Sequence, residues 1–328
     1  MPKAAPRPGS LASVGDLDAS TVAAVDRPLR QAGSVRAYVR LVRPRHWVKN
    51  LLVLAAPAAA GALDQWEYVG QALLVLVSFC LAASGTYCIN DAADAEADRL
   101  HPTKRDRPGA SGQISPGQAR TLGVVLLVVG VALGVVAGEW EVSAVTALYV
   151  AMTTAYTLWL KHVAVVDLVL VASFFVLRAV AGVVGTDLPI SDWYLIVASF
   201  GALFLVAGKR TVELRAPDAV KHRSALEAYT PTFLLHVRTV AVTVTLLAYC
   251  LWAFEKADVA DSSVPWFELS ILPFLVALLR YALVLETEER RGPEEIILGD
   301  RTLQIVGLCW GLLFAAGVYL GDAPPLTS

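Results

Sequence analysis

Nine apolar segments divide this 328-residue chain, at approximately 45–63, 69–89, 119–138, 142–160, 163–185, 191–208, 234–254, 266–285 and 302–320. Each approaches the roughly 20 residues a helix needs to cross the hydrocarbon of a bilayer. Backbone groups in lipid must be satisfied inside their own segment, and an α-helix does so. Charge is scarce to match. Only 17% of residues are Asp, Glu, Lys or Arg, against about 25% in soluble domains, and the mean hydropathy is +0.58. The expected fold class is all-α, a polytopic membrane protein of nine transmembrane helices.

The connections alternate in charge. One set holds nearly all the cations: the N-terminal arm, Arg99 to Arg120, Lys161, Lys209 to Arg238, and Arg280 to Arg301. The other set is acidic: Asp64 and Glu67, Glu139 and Glu141, Asp187 and Asp192, Glu255 with Asp258 and Asp261, and Asp322, with Lys256 its one cation. The positive-inside rule makes the first set cytoplasmic. The N-terminus is then cytoplasmic and the C-terminus exported, which requires an odd number of spans. The inner (plasma) membrane is the expected location. Residues 1–35 contain Pro2, Pro6, Pro8, Gly9 and Pro28, scattered charges and no apolar run of signal-peptide type, and read as a flexible cytoplasmic tail. Residues 36–328 read as one membrane domain. Cys80, Cys88, Cys250 and Cys309 all fall in or beside apolar segments without metal-ligand pairing, as buried small hydrophobes do.

The chemistry-bearing residues cluster on the cytoplasmic side. Span two ends in Asn90-Asp91-Ala-Ala-Asp94-Ala-Glu96-Ala-Asp98. At about 100° per residue, Asp94, Asp98 and Asp91 lie about 40°, 80° and 100° from Asn90, so one amide and three carboxylates share a face. Like charges at this spacing repel, and a cation among them relieves the repulsion. A row of hard oxygen ligands followed by Lys104, Arg105 and Arg107 suggests Mg²⁺ holding a phosphorylated substrate, against the plainer reading of a solvated acidic helix end. Arg43-Pro-Arg45-His46-Trp47 reads as an interfacial anchor, whereas Lys49 and Asn50 lie where the apolar run has begun and can face a polar cavity. Tyr156 and Lys161 close span four. Asp167 and Arg178 share a face of span five, either neutralising each other, directly or through neighbours, or lining the cavity with Arg178 on a phosphate. Lys209 and Arg210 end span six, with Glu213 in reach of either. Walker-type loops, Cys/His metal sets and Gly-x-Ser-x-Gly elbows are absent.

Asn90-Asp91-x-x-Asp94-x-x-x-Asp98 with Arg107-Pro108, the Tyr156-x-x-x-Leu-Lys161 element and the nine-span plan resemble the UbiA superfamily of intramembrane prenyltransferases, over about residues 36–320. The resemblance implies a helical bundle around a central cavity open to the cytoplasm and laterally to lipid, with Mg²⁺ on the aspartates. One departure matters. Where most members carry a second Asp-x-x-x-Asp motif, this chain reads Lys209-Arg210-Thr-Val-Glu213. That substitution resembles the branch that transfers 5-phosphoribose from phosphoribosyl diphosphate (PRPP) to decaprenyl or another polyprenyl phosphate. Its product is the precursor of the arabinose donor for cell-wall arabinan.

This resemblance assigns Asp91, Asp94 and Asp98, with Asn90, to Mg²⁺ and the diphosphate. It makes Lys49, Lys104, Arg107, Lys161, Arg178, Lys209 and Arg210 the candidate phosphate ligands, and Tyr156 and Asn50 hydrogen-bonding partners of the donor. Membrane lipids surround the chain, no nucleic acid is expected, and its apolar faces could pack against sister subunits as a homo-oligomer. Two alternatives make different predictions. An aromatic prenyltransferase would use a prenyl diphosphate donor, and the missing second aspartate pair speaks against it. A non-catalytic lipid-binding protein or transporter would release no diphosphate.

Overall fold

A computed structural model of the protein describes residues 33–100, 104–137, 140–189, 191–215, 224–260, 262–287 and 292–321. All but the last three residues of the expected tail, and the His101-Pro102-Thr103 step, lie outside that range. Helices, and no strands, build the described residues. In chain order they are α1 (Val35–Val42), a 3₁₀ helix (Pro44–Leu54), α2 (Ala55–Ala59), α3 (Trp66–Ala93), α4 (Ala95–Arg99), α5 (Pro116–Ala137), α6 (Trp140–Leu158), α7 (Val166–Thr186), α8 (Asp192–Leu214), α9 (Pro231–Val259), α10 (Trp266–Thr287), α11 (Pro293–Gly299) and α12 (Arg301–Leu320). Short 3₁₀ turns at Leu160–His162 and Ser224–Ala228 join the long helices.

Seven of these helices are long and apolar enough to cross a membrane: α3, α5, α7, α8, α9, α10 and α12. Their outer faces carry the large apolar side chains that a soluble bundle would bury. On α12, Ile305, Leu308 and Leu312 are 69%, 64% and 62% exposed. Surfaces of this kind are covered by lipid, and the chain is a multi-pass membrane protein.

Two expected spans take other forms. The segment expected at 45–63 is no continuous α-helix but an 11-residue 3₁₀ helix followed by the short α2. Pro44 at its start and Pro57 inside α2 each lack an N–H, and 3₁₀ runs of this length are uncommon. Packing holds the segment in place. A Cβ on Gly182 of α7 would lie 2.0 Å from the carbonyl oxygen of Val53, so the two backbones touch. Gly182→Ala must push them apart at a cost of about 1–3 kcal/mol. A clear fall in the thermal unfolding midpoint of the detergent-purified protein is the expected result, and an unchanged midpoint would refute the contact. The segment expected at 142–160 is helical as α6, but Ser143, Thr146, Thr153, Thr154, Thr157 and two tyrosines dilute its apolar character. Thr154 and Thr157 donate to the carbonyls of Val150 and Thr153, each one turn back, as hydroxyls in apolar helices do.

Antiparallel packing brings the chemistry-bearing ends together. Asn90 at the end of α3 meets Thr157 at the end of α6. Tyr156 meets Asp167 at the start of α7, and Asp167 meets Arg210 near the end of α8. Beside them, Arg215 and Arg238 join the end of α8 and the start of α9 to Glu286 at the end of α10. In the other half of the bundle, Tyr249, Trp252, Phe267, Phe274, Trp310 and Phe314 form an aromatic core.

Candidate active site

The acidic row keeps its register through a break in the helix. α3 stops at Ala93 and α4 begins at Ala95, yet Asp94 N–H still donates to Asn90 O at 2.9 Å and Asp98 N–H to Asp94 O at 2.8 Å. Asp91 and Asp98 turn inward, 3% and 4% exposed, whereas Asp94 at the break is exposed. Glu96, about 240° around the helix from Asn90, is exposed too and off the row.

Cations interleave the buried carboxylates. Arg107 Nη1 lies 2.7 Å from Asp98 Oδ2 and 3.8 Å from Asp91 Oδ1, and Lys104 Nζ lies 3.9 Å from Asp98 Oδ1. Arg43 Nη2 closes on Asp91 Oδ1 at 2.5 Å, its guanidinium 5.0 Å from the Tyr87 ring centroid. Arg43 is a contact of the acidic row that sequence reasoning missed, having read it as an interfacial anchor. It adopts the left-handed region, φ 55° and ψ 59°, where a side chain other than glycine is strained; the following Pro44 only bars the right-handed helical alternative. Strained residues of this kind cluster at functional sites. The Arg-Pro pair was a legible sign of unusual backbone, but no local spacing connects residue 43 to residue 91.

The residues present fit a hard divalent cation. The donors are carboxylate and amide oxygens, which suit Mg²⁺, and Asp91 Oδ2 is buried with no hydrogen-bond partner among the described residues. Among those residues no three His, Cys, Asp or Glu side chains already converge; Arg107 stands between Asp91 and Asp98.

A second network continues from the row. Asn90 Nδ2 is 3.4 Å from Thr157 Oγ1, and the neighbouring Tyr156 hydroxyl donates to Asp167 Oδ1 at 2.7 Å. Asp167 is fully buried and takes a bidentate pair from Arg210, with Nε to Oδ2 at 2.7 Å and Nη2 to Oδ1 at 3.1 Å. Arg210 Nη1 turns to Glu213 Oε2 at 2.7 Å. Asp167 therefore neutralises Arg210, not Arg178. Arg178 lies three turns further along α7, about 16 Å along the axis. Its Nε donates to Asn50 Oδ1 at 2.7 Å, Nη2 to Tyr149 OH at 3.1 Å and Nη1 to the Phe174 carbonyl. Asn50 is itself buried and also reaches Cys80 Sγ at 3.2 Å. Of the remaining candidates, Lys49 and Lys161 are half-buried and Lys209 is exposed.

Fold and site together define an all-helical multi-pass membrane protein with a carboxylate row interleaved with cations at one end of the bundle. The chain belongs to the UbiA prenyltransferase family, whose model matches residues 51–298. It is 43% identical over 300 residues to the decaprenyl-phosphate phosphoribosyltransferase of Mycobacterium tuberculosis, covering 88% of this chain and 97% of that protein. The protein of the same name from Corynebacterium glutamicum is 41% identical over 288 residues, 86% of each chain. Among solved structures, a UbiA homolog from Archaeoglobus fulgidus bound to GPP and Mg²⁺ superposes with a TM-score of 0.63 at 18% identity, covering 87% of this chain and 98% of that one. At that identity the likeness establishes the shared fold.

Proposed function

We propose that this protein transfers 5-phosphoribose from phosphoribosyl diphosphate to decaprenyl phosphate, or a similar polyprenyl phosphate, and releases diphosphate. The 43% identity to a decaprenyl-phosphate phosphoribosyltransferase, sustained over 88% of the chain, carries the reading. The product would be the precursor of an arabinose donor for cell-wall arabinan. Residues 36–328 form the catalytic domain. It crosses the plasma membrane nine times, the 3₁₀–α2 segment and α6 adding two crossings to the seven apolar helices. The N-terminus and the mouth of a central cavity face the cytoplasm, and the C-terminus lies on the exported side.

Asp91, Asp94, Asp98 and Asn90 would hold Mg²⁺, which when bound supplies charge neutralisation at the diphosphate leaving group. Arg43, Lys49, Lys104, Arg107, Lys161 and Lys209 supply cations to the three anionic groups of donor and acceptor. Arg178, Arg210, Asn50 and Tyr156 shape the wall behind them, since each hydrogen-bonds to buried protein groups. The lipid phosphate is anionic at neutral pH and needs no strong general base. Its oxygen bonds to ribose C1 on the face opposite the diphosphate while the C1–O bond to diphosphate breaks, inverting C1. An apolar cavity of about 370 Å³ between the 3₁₀–α2 segment, α8, α9, α10 and α12, lined by Trp193, Tyr249, Trp252, Trp310 and Phe314 among others, suits part of the prenyl tail.

Membranes containing the protein, given radiolabelled phosphoribosyl diphosphate and decaprenyl phosphate, are expected to yield organic-extractable label that depends on Mg²⁺. Label remaining wholly in the aqueous phase would overturn the assignment, and conversion of a prenyl diphosphate with an aromatic acceptor would replace it.

A further inference from the structure

A second basic pocket lies outside the site. It occupies about 270 Å³ where α8 ends, α9 begins and α10 ends, and its lining includes Arg215, Arg238, Glu286, Thr232, Leu214 and Leu235. Arg215 sits about 140° around α8 from Arg210, so it faces away from the Asp167 network. Arg238 belongs to the second turn of α9. Its side chain is 7% exposed, and a cation that deep in a bundle ordinarily has all its donors engaged. Nη2 meets Glu286 Oε1 at 2.5 Å, but Nε is buried with no hydrogen-bond partner among the described residues. Arg215 gives Nη2 to Glu286 Oε2 at 2.6 Å and Nη1 to Leu285 O at 2.7 Å. Glu286 is half exposed. One accessible carboxylate therefore sits between two arginines, with an oxygen on each, where another oxyanion could sit.

The other walls favour an anion with an apolar body. Pro231 and Thr232 form the first turn of the 29-residue α9, the positive end of its dipole. Leu235, 51% exposed, lies one turn further into the membrane, and Leu214 lines the pocket opposite. Two arginines outweigh the one glutamate, which favours an anion over a zwitterion, and the apolar wall favours an anion carrying acyl chains over inorganic phosphate.

We propose that this pocket binds the phosphodiester headgroup of an anionic glycerophospholipid, which displaces Glu286 from Arg238 and Arg215 and leaves its acyl chains on the Leu235 face of α9. The inference is independent of the reaction assigned to the acidic row.

The test is native mass spectrometry of the full-length protein taken from vesicles of equimolar phosphatidylglycerol and phosphatidylcholine. Retention of phosphatidylglycerol about fivefold over phosphatidylcholine is expected from one net cationic charge at the interface. Arg238→Gln should abolish the preference. Glu286→Gln, at a half-exposed position, should strengthen it by removing the competing carboxylate, so the proposal stays testable if Arg238→Gln fails to fold. Millimolar inorganic phosphate should not displace the lipid. Equal retention of the two lipids, no gain in Glu286→Gln, or displacement by inorganic phosphate would each overturn the proposal.

Discussion

Asp94→Ala is expected to reduce phosphoribosyl transfer by about 10²–10³-fold, the usual effect of removing one group that stabilises charge in the transition state. Its unfolding midpoint should stay close to that of the unaltered protein. Asp94 is the cleanest probe in the row because it is exposed and its side chain makes no hydrogen bond or ion pair with another described residue. Exposed substitutions without such partners usually change stability by less than about 0.5 kcal/mol. Asp98→Ala should lower transfer at least as far, but with a cost in stability, since it strips the half-buried Arg107 of its 2.7 Å partner. Comparing the two separates loss of ligand from loss of structure. Turnover is measured on purified protein with radiolabelled donor in excess Mg²⁺. Near-normal turnover by Asp94→Ala would remove the metal assignment from this row.

The seven apolar helices were legible because hydropathy over a window of about 20 residues measures the quantity a bilayer selects. The same measure cannot tell an α-helix from a 3₁₀ helix of equal apolarity. That is why 45–63 read as an ordinary span, although Pro44 and Pro57 were visible as missing donors. The acidic row was legible through helical phase, since Asn90, Asp94 and Asp98 stay in register through i→i−4 bonds. What phase could not supply was the break at Asp94 that turns this carboxylate out to solvent. Long-range partners were the least legible. Local spacing made Glu213 a partner for Arg210, and the 2.7 Å contact bears it out. Spacing along α7 also placed Asp167 and Arg178 on one face, but only packing of α7 against α8 decides that Asp167 takes Arg210. Arg43, 48 residues from Asp91, is the same kind of contact. Chain-distant ion pairs depend on which helices become neighbours, and periodicity within one helix carries no record of that.

Arg210→Ala distinguishes a residue that holds the site from one that binds phosphate. Arg210 is 1% exposed and Asp167 is fully buried, so removing the guanidinium strips a buried carboxylate of its bidentate cationic partner. Breaking a buried pair in this way costs about 3–5 kcal/mol, and a pronounced fall in unfolding midpoint is expected. Tyr156 donates to the same carboxylate that Arg210 holds in place, and Tyr156 is one residue from the Thr157 that holds Asn90. Activity should therefore fall together with stability. The double variant Asp167→Leu with Arg210→Met removes both charges and replaces them with apolar groups of similar bulk. Such exchanges of buried ion pairs are often neutral or stabilising, so the double variant should recover most of the lost stability. It should not recover full turnover, because Tyr156 has no carboxylate to orient it. A direct phosphate ligand would behave differently. Arg210→Ala would then keep its midpoint and raise KM for phosphoribosyl diphosphate, and the double variant would be no more stable than the single one. Both sets of measurements can be made on the same detergent-purified proteins. An unchanged midpoint for Arg210→Ala would overturn the framework role and return Arg210 to the cations that grip the substrate.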